Sequence, residues 1–172
     1  MTPDEVAASE LLDRAALWSA GDLRATEVVG AACDALVAGW DGPGLRALAA
    51  CTRGEADYDV PDLLPEALSD LGLSFSAVVG ANGQEAAARA LARRTLAGDL
   101  TPREFTFWVH QRCGHELALT ERLAELDDEY DLLEFGTRSD RAAARLDAEV
   151  VSEARRLVAC PHVPADAGDS LS

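Results

Sequence analysis

Lysine is absent, and all 15 basic side chains are arginine. That removes Schiff-base chemistry and the phosphate-gripping lysine of a P-loop, because no residue exists to perform them. Cationic charge is scarce altogether: against 31 acidic side chains, the formal net charge is −16. Sequence-independent nucleic-acid binding draws its affinity from cations meeting phosphates, so this balance argues against direct binding to DNA or RNA. It argues equally against an anionic membrane surface. Aromatic residues make up 5% of the chain, which leaves Leu, Ala and Val to build most of the core. Clusters of β-branched residues are few, with Val28–Val29, Val78–Val79 and Val150–Val151 the clearest, so strands have little to draw on. No apolar run approaches the roughly 20 residues of a membrane span. The opening "MTPDEVAASE" lacks a basic and an apolar segment, so no secretory signal is expected. The four cysteines form no C-x-x-C, and the chain reads as a cytoplasmic protein with reduced thiols.

What is present is helical. "TPDE" at 2–5 and "TPRE" at 101–104 each offer a threonine cap, a proline at the first helical position and a glutamate that completes a capping box. "AGDL" occurs at 20–23 and again at 97–100, each time ending one helix at glycine and opening another, with Glu27 and Glu104 equally placed. This is a recurring αα-hairpin connection. Apolar residues recur at helical spacing through Ala7, Leu11, Ala15 and Trp18, and through Val28, Val29, Ala32, Cys33, Leu36 and Val37. Cys33 therefore reads as core. A short third helix is expected from about Pro43 to Cys51, with "GEADYDV" as a polar connector and "PDLLPEALSDLG" as a short fourth helix. "SFSAVVGANG" reads as either extended or loop. Later rows run through Phe105, Val109 and Cys113, through Leu119, Leu123, Leu126, Tyr130 and Leu133, and through Ala143, Leu146, Val150, Ala154 and Leu157. The pattern predicts an all-α fold: a single acidic domain over 1–160, of seven or eight helices joined by short turns. Residues 161–172 read as a disordered tail.

The stretch "FTFWVHQRCGHE" holds two of the three histidines. His110, Cys113 and His115, with Cys160 and His162 near the C-terminus, are zinc-compatible groups, but their spacing matches no stereotyped finger or ribbon. Cys113 shares the row of Phe105 and Val109, and His115 follows a helix-ending glycine. We read the stretch as a bend between helices and expect neither a metal nor a cofactor there. Paired carboxylates such as Asp127 and Asp128 could do acid–base work, but a solvated acidic helix explains them more simply. With no nucleophile–base pair and no phosphate loop, no catalytic residue is assigned.

Two segments are strongly acidic: 54–70, with no basic residue, and 121–134, with a single arginine. Each contains a tyrosine. Carboxylates around an aromatic anchor suit a basic protein partner. The candidates are Asp57, Tyr58 and Asp59 in the first segment, and Glu125, Asp127, Asp128, Glu129 and Asp131 in the second. With "AGDLTPREFTFWVH" and "LAELDDEYD", the chain resembles small acidic helical proteins of actinobacteria, a likeness of style that carries no catalytic motif. By charge and size it is also similar to bacterial immunity proteins. The expectation is an interaction module, such as an immunity or antitoxin protein covering a basic partner. The alternatives are a metal- or small-molecule-dependent regulator or enzyme centred on His110, Cys113 and His115, or a nucleic-acid mimic.

Overall fold

A computed structural model describes residues 2–74, 81–135 and 140–160. Its elements are α1 (Pro3–Ser19), α2 (Ala25–Val37), α3 (Pro43–Ala49), α4 (Ala56–Asp70), α5 (Ala81–Ala97), α6 (Pro102–Cys113), α7 (Glu121–Phe135) and α8 (Asp140–Ala159). The fold is all-α, with no strand among the described residues. None of these helices is long and apolar enough to cross a membrane. The expectations about 75–80, about the tail at 161–172 and about His162 lie outside the described residues.

The chain divides into two compact units, Met1–Gly83 and Gln84–Ser172. In the first, α2 packs on α1, α3 and α4, and α3 lies along α4. The core is built from Leu11, Ala15, Val28, Ala32, Leu45, Leu48, Val60, Leu64 and Leu68, with smaller neighbours. The buried row of α2 is Ala25, Val28, Ala31, Ala32 and Ala35, rotated from the predicted stripe. Cys33 is consequently exposed, with its thiol turned to the carbonyl of Ala49, and Val37 is exposed as well. Alanine made the true row hard to see: it is apolar enough to be buried and common enough to be ignored.

The two "AGDL" copies form the same Schellman turn. Gly21 (φ +82°) and Gly98 (φ +86°) take the left-handed conformation that a Cβ disfavours. The N–H of Asp22 bonds the carbonyl of Leu17 at 2.9 Å, and that of Asp99 bonds Arg94 at 3.0 Å. The following helices start alike, with the N–H of Arg24 on Glu27 Oε2 at 3.0 Å and that of Thr101 on Glu104 Oε2 at 2.9 Å. At Thr101 the box is complete, since Glu104 N–H donates to Thr101 Oγ1 at 3.2 Å. The Thr101 side-chain and backbone bonds hold the Glu104 carboxyl below its ordinary range. A carboxyl depressed in the folded state stabilises above its unfolded pKa and loses that contribution as pH falls through the folded value. Glu104→Ala should thus lower the thermal midpoint at pH 7, and its deficit against wild type should shrink on acidification. A deficit independent of pH would mean that the charged cap contributes nothing.

The fourth helix begins earlier than its prolines suggest. "GEADYDV" is not a connector but contributes the first turns of α4. Thr52 N–H and Oγ1 both donate to Glu55 Oε2, at 3.1 and 2.6 Å, and nucleate the helix. Ala56, Val60, Leu64, Ala67 and Leu68 then form its buried row, while Pro61 and Pro65 stand on the exposed side. "GPG" at 42–44 also has a use beyond turning. The Asp70 carboxylate accepts the Leu45 N–H at 2.9 Å and caps α3 from α4. A Cβ on Gly44 would meet Glu66 Cγ, Glu66 C and Ala67 N at 2.6, 2.7 and 2.8 Å. Replacing glycine by alanine inside a helix ordinarily gains about 1 kcal/mol. Here two of the obstructing atoms are backbone, and overpacking of this kind costs about 1–3 kcal/mol. Gly44→Ala should therefore lower the denaturant midpoint; a stabilised variant would refute the close approach of α3 to α4.

In the second unit α6 packs on α7 and α8, and α7 on α8. Phe105, Val109 and Cys113 are buried as their row predicts, as are Leu123, Leu126 and Tyr130, and Leu146, Val150, Ala154 and Leu157. The row that opens at Leu119 becomes helical only at Glu121; residues 114–120 are mostly turns.

Candidate functional site

The polar face of α6 carries Arg103, Thr106 and His110, at i, i+3 and i+7. Opposite it, α7 presents Asp127, Asp128 and Asp131. Asp127 stands four residues after Leu123 and three before Tyr130, so helical periodicity turns it inward, and it is 2% exposed. An isolated buried carboxylate would be expensive. Asp127 is instead fully partnered. Oδ1 pairs with the Arg103 guanidinium and accepts the Thr106 hydroxyl at 3.2 Å, and Oδ2 lies 2.9 Å from His110 Nδ1. Arg103 also pairs with Asp131 and lies over the Tyr130 ring, 5.2 Å from its centroid.

The chain leaves α6 through Gly114 (φ +56°), and His115 comes back beside His110. Their rings meet edge to face, with centroids 5.0 Å apart. His115 Nε2 is 3.3 Å from Asp128 Oδ2, and His110 Nδ1 is 3.7 Å from Asp128 Oδ1. His110, His115 and Asp128 each offer one ligand atom, all within 4.8 Å of one another. Cys113, grouped with the histidines by sequence, faces the core instead, and burial pushes its thiol pKa up. Asp128 takes its place beside the histidines.

Glu125 and Glu129 of α7 are engaged internally. Arg122 pairs with Glu125 at 3.0 Å, Glu129 at 3.0 Å and Glu149 at 2.7 Å, and these partners raise its pKa. Arg145 reaches Glu129 and Glu149 as well. Tyr130 is buried, and its hydroxyl donates to Asp147 Oδ1 at 2.5 Å. Burial, with that acceptor, raises the phenol pKa. A cleft of about 400 Å³ beside it is lined by Thr101, Arg103, Tyr130 and Asp147 among others, but Arg103, Tyr130 and Asp147 already bond one another or α7, and Thr101 bonds Glu104.

The first acidic segment differs. On α4, Asp57, Tyr58, Asp59, Asp62 and Glu66 are all exposed. Tyr58 is 81% exposed. No ion pair reaches these carboxylates among the described residues. Pro61 and Pro65 have no N–H, so the helical bonds to the carbonyls of Asp57 and Pro61 are not made.

The eight candidate partner residues therefore separate. Asp57, Tyr58 and Asp59 form one open face. Glu125, Glu129 and Asp131 hold arginines of their own unit, Asp128 sits with the histidines, and Asp127 is buried. Asp127 was a partner-binding candidate because it stands in an acidic run; its spacing from Leu123 and Tyr130 was the signal that opposed this. Arg103 and Asp147 were missed, having no motif around them.

Fold and site together define an all-α protein with an acidic helix face that no ion pair reaches among the described residues in one unit, and a His/Asp cluster in the other. Comparison with protein-family models, with curated proteins and with solved structures finds no match for this chain.

Proposed function

We propose that this chain is an acidic protein-interaction module that binds a basic protein through the outer face of α4. The observation that carries the reading is Tyr58, an aromatic side chain left 81% exposed between the exposed carboxylates of Asp57 and Asp59. Aromatic anchors ringed by charge are the usual centres of such contacts. Arginine or lysine donors of a partner would also meet the two carbonyls that the prolines release. A cytoplasmic setting belongs to the same reading. An immunity or antitoxin role is the case in which the partner is a toxin. A nucleic-acid mimic is the case in which DNA or RNA competes for the same partner surface.

The test is capture from host extract on the immobilised full chain. Charge attraction is screened over about 8 Å at physiological salt, so association should slow as salt rises. Asp57→Arg with Asp59→Arg should abolish capture of the salt-sensitive partner, and Glu125→Arg on α7 should leave it. Displacement by nucleic acid would then select the mimic. A partner retained equally by both variants would overturn the proposal.

A further inference from the structure

We infer that His110, His115 and Asp128 form a binding site for a divalent transition-metal cation, with buried Asp127 holding His110 in position. The inference goes beyond the α4 reading and does not depend on it. Two imidazoles and one carboxylate are a ligand set for zinc and its neighbours; calcium and magnesium prefer oxygen alone. Ligands at about 2.0–2.2 Å around a tetrahedral zinc stand roughly 3.3 Å from one another. His115 Nε2 and Asp128 Oδ2 are already at 3.3 Å. The widest separation, within 4.8 Å, closes by rotation of side chains that are free to move, since His115 and Asp128 are about half exposed.

The surroundings add a second, independent observation. Metal-binding histidines commonly give their other ring N–H to a carboxylate, which orients the ring and makes the free nitrogen a better donor. Asp127 Oδ2 stands 2.9 Å from His110 Nδ1 in that arrangement, and is itself held by Arg103 and Thr106. With the proton on Nδ1, Nε2 carries the lone pair; because Nδ1 is the atom that lies 3.7 Å from Asp128 Oδ1, Asp128 and His115 swing round the ring edge to meet Nε2. Gly114 supplies the left-handed turn that brings His115 back to His110. Three protein ligands leave coordination positions for water, which is the open kind of site and not the closed four-ligand kind that holds a fold together. The cation is accordingly exchangeable, and the buried rows of α6, α7 and α8 stand without it.

The competing reading is that the histidines serve only as ion-pair partners of Asp127 and Asp128. The two are separated by titrating tag-free, metal-free full-length protein with ZnCl₂ calorimetrically, and with Co²⁺ by its visible absorption. One equivalent should bind, and Co²⁺ should show the absorption of a low-coordinate nitrogen and oxygen site. His115→Ala and Asp128→Asn should each weaken binding at least roughly tenfold, the loss that even outer partners of metal ligands produce. Both residues lie at the surface, and circular dichroism should show each variant folded. Cys33→Ser and Cys160→Ser should bind as wild type does. No uptake at millimolar metal, uptake unchanged in both His115→Ala and Asp128→Asn, or uptake lost with a cysteine would overturn the inference.

Discussion

Asp127→Ala should destabilise the second unit by roughly 3 kcal/mol, the low end of what breaking a buried ion pair costs. The carboxylate is 2% exposed and engages Arg103, Thr106 and His110 together. Removing it strands a guanidinium and an imidazole that the fold has partly desolvated. The low end applies because Arg103 is about 30% exposed and keeps Asp131. Asp128→Ala, one residue on and exposed, is the control. It should change stability by no more than about 0.5 kcal/mol, as surface substitutions do. Guanidinium unfolding of the full chain measures both, as a shift in midpoint. Equal small effects would mean that Asp127 is solvated in solution and that the α6–α7 contact is not as described.

Tyr58→Ala should weaken the proposed partner complex by about 2 kcal/mol, close to 30-fold in Kd, while leaving the fold intact. The ring is 81% exposed, so its removal empties no core position. The loss should appear in the off-rate, because an anchor acts after encounter, whereas reversal of Asp57 and Asp59 should appear mainly in the on-rate. Tyr130→Ala is the instructive contrast. That ring is buried and bonded to Asp147, so its removal should destabilise the domain. An unchanged off-rate in Tyr58→Ala, with the partner still bound through α4, would reduce the face to charge alone.

The two tyrosines share a local description and differ in fate, and the reason is periodicity. Tyr130 falls on the row of Leu123 and Leu126, which α6 and α8 cover. Tyr58 falls opposite the row of Val60 and Leu64, and no described element of its unit covers it. The same logic was legible for Asp127, whose spacing argued for burial while its neighbours in sequence argued for solvent. Spacing prevailed because the face of α6 that meets it carries Arg103, Thr106 and His110. Those partners are 17 to 24 residues away, so only the folded hairpin reveals them. Cys33 shows the opposite error: it stood on a plausible stripe, but the row richer in alanine won, because small residues let α2 approach α1, α3 and α4 closely.

Local chemistry was sufficient for the elements. Capping boxes, Schellman glycines and proline at the first helical turn act within a few residues, so the all-α class, the repeated "AGDL" turn and most helix ends were determined by sequence alone. Even the bend at Gly114 was readable from the glycine. The tertiary structure decided which charges are spent and which remain. Net charge and acidic runs count carboxylates but not their partners, and a partner is a matter of distance across helices. Arg103, Arg122 and Arg145 take up Asp127, Asp131, Glu125 and Glu129 of α7, while Asp57, Asp59, Asp62 and Glu66 of α4 meet no arginine among the described residues. It likewise exchanged Cys113 for Asp128 beside the two histidines, because a helix face, and not proximity along the chain, brings side chains to one point in space.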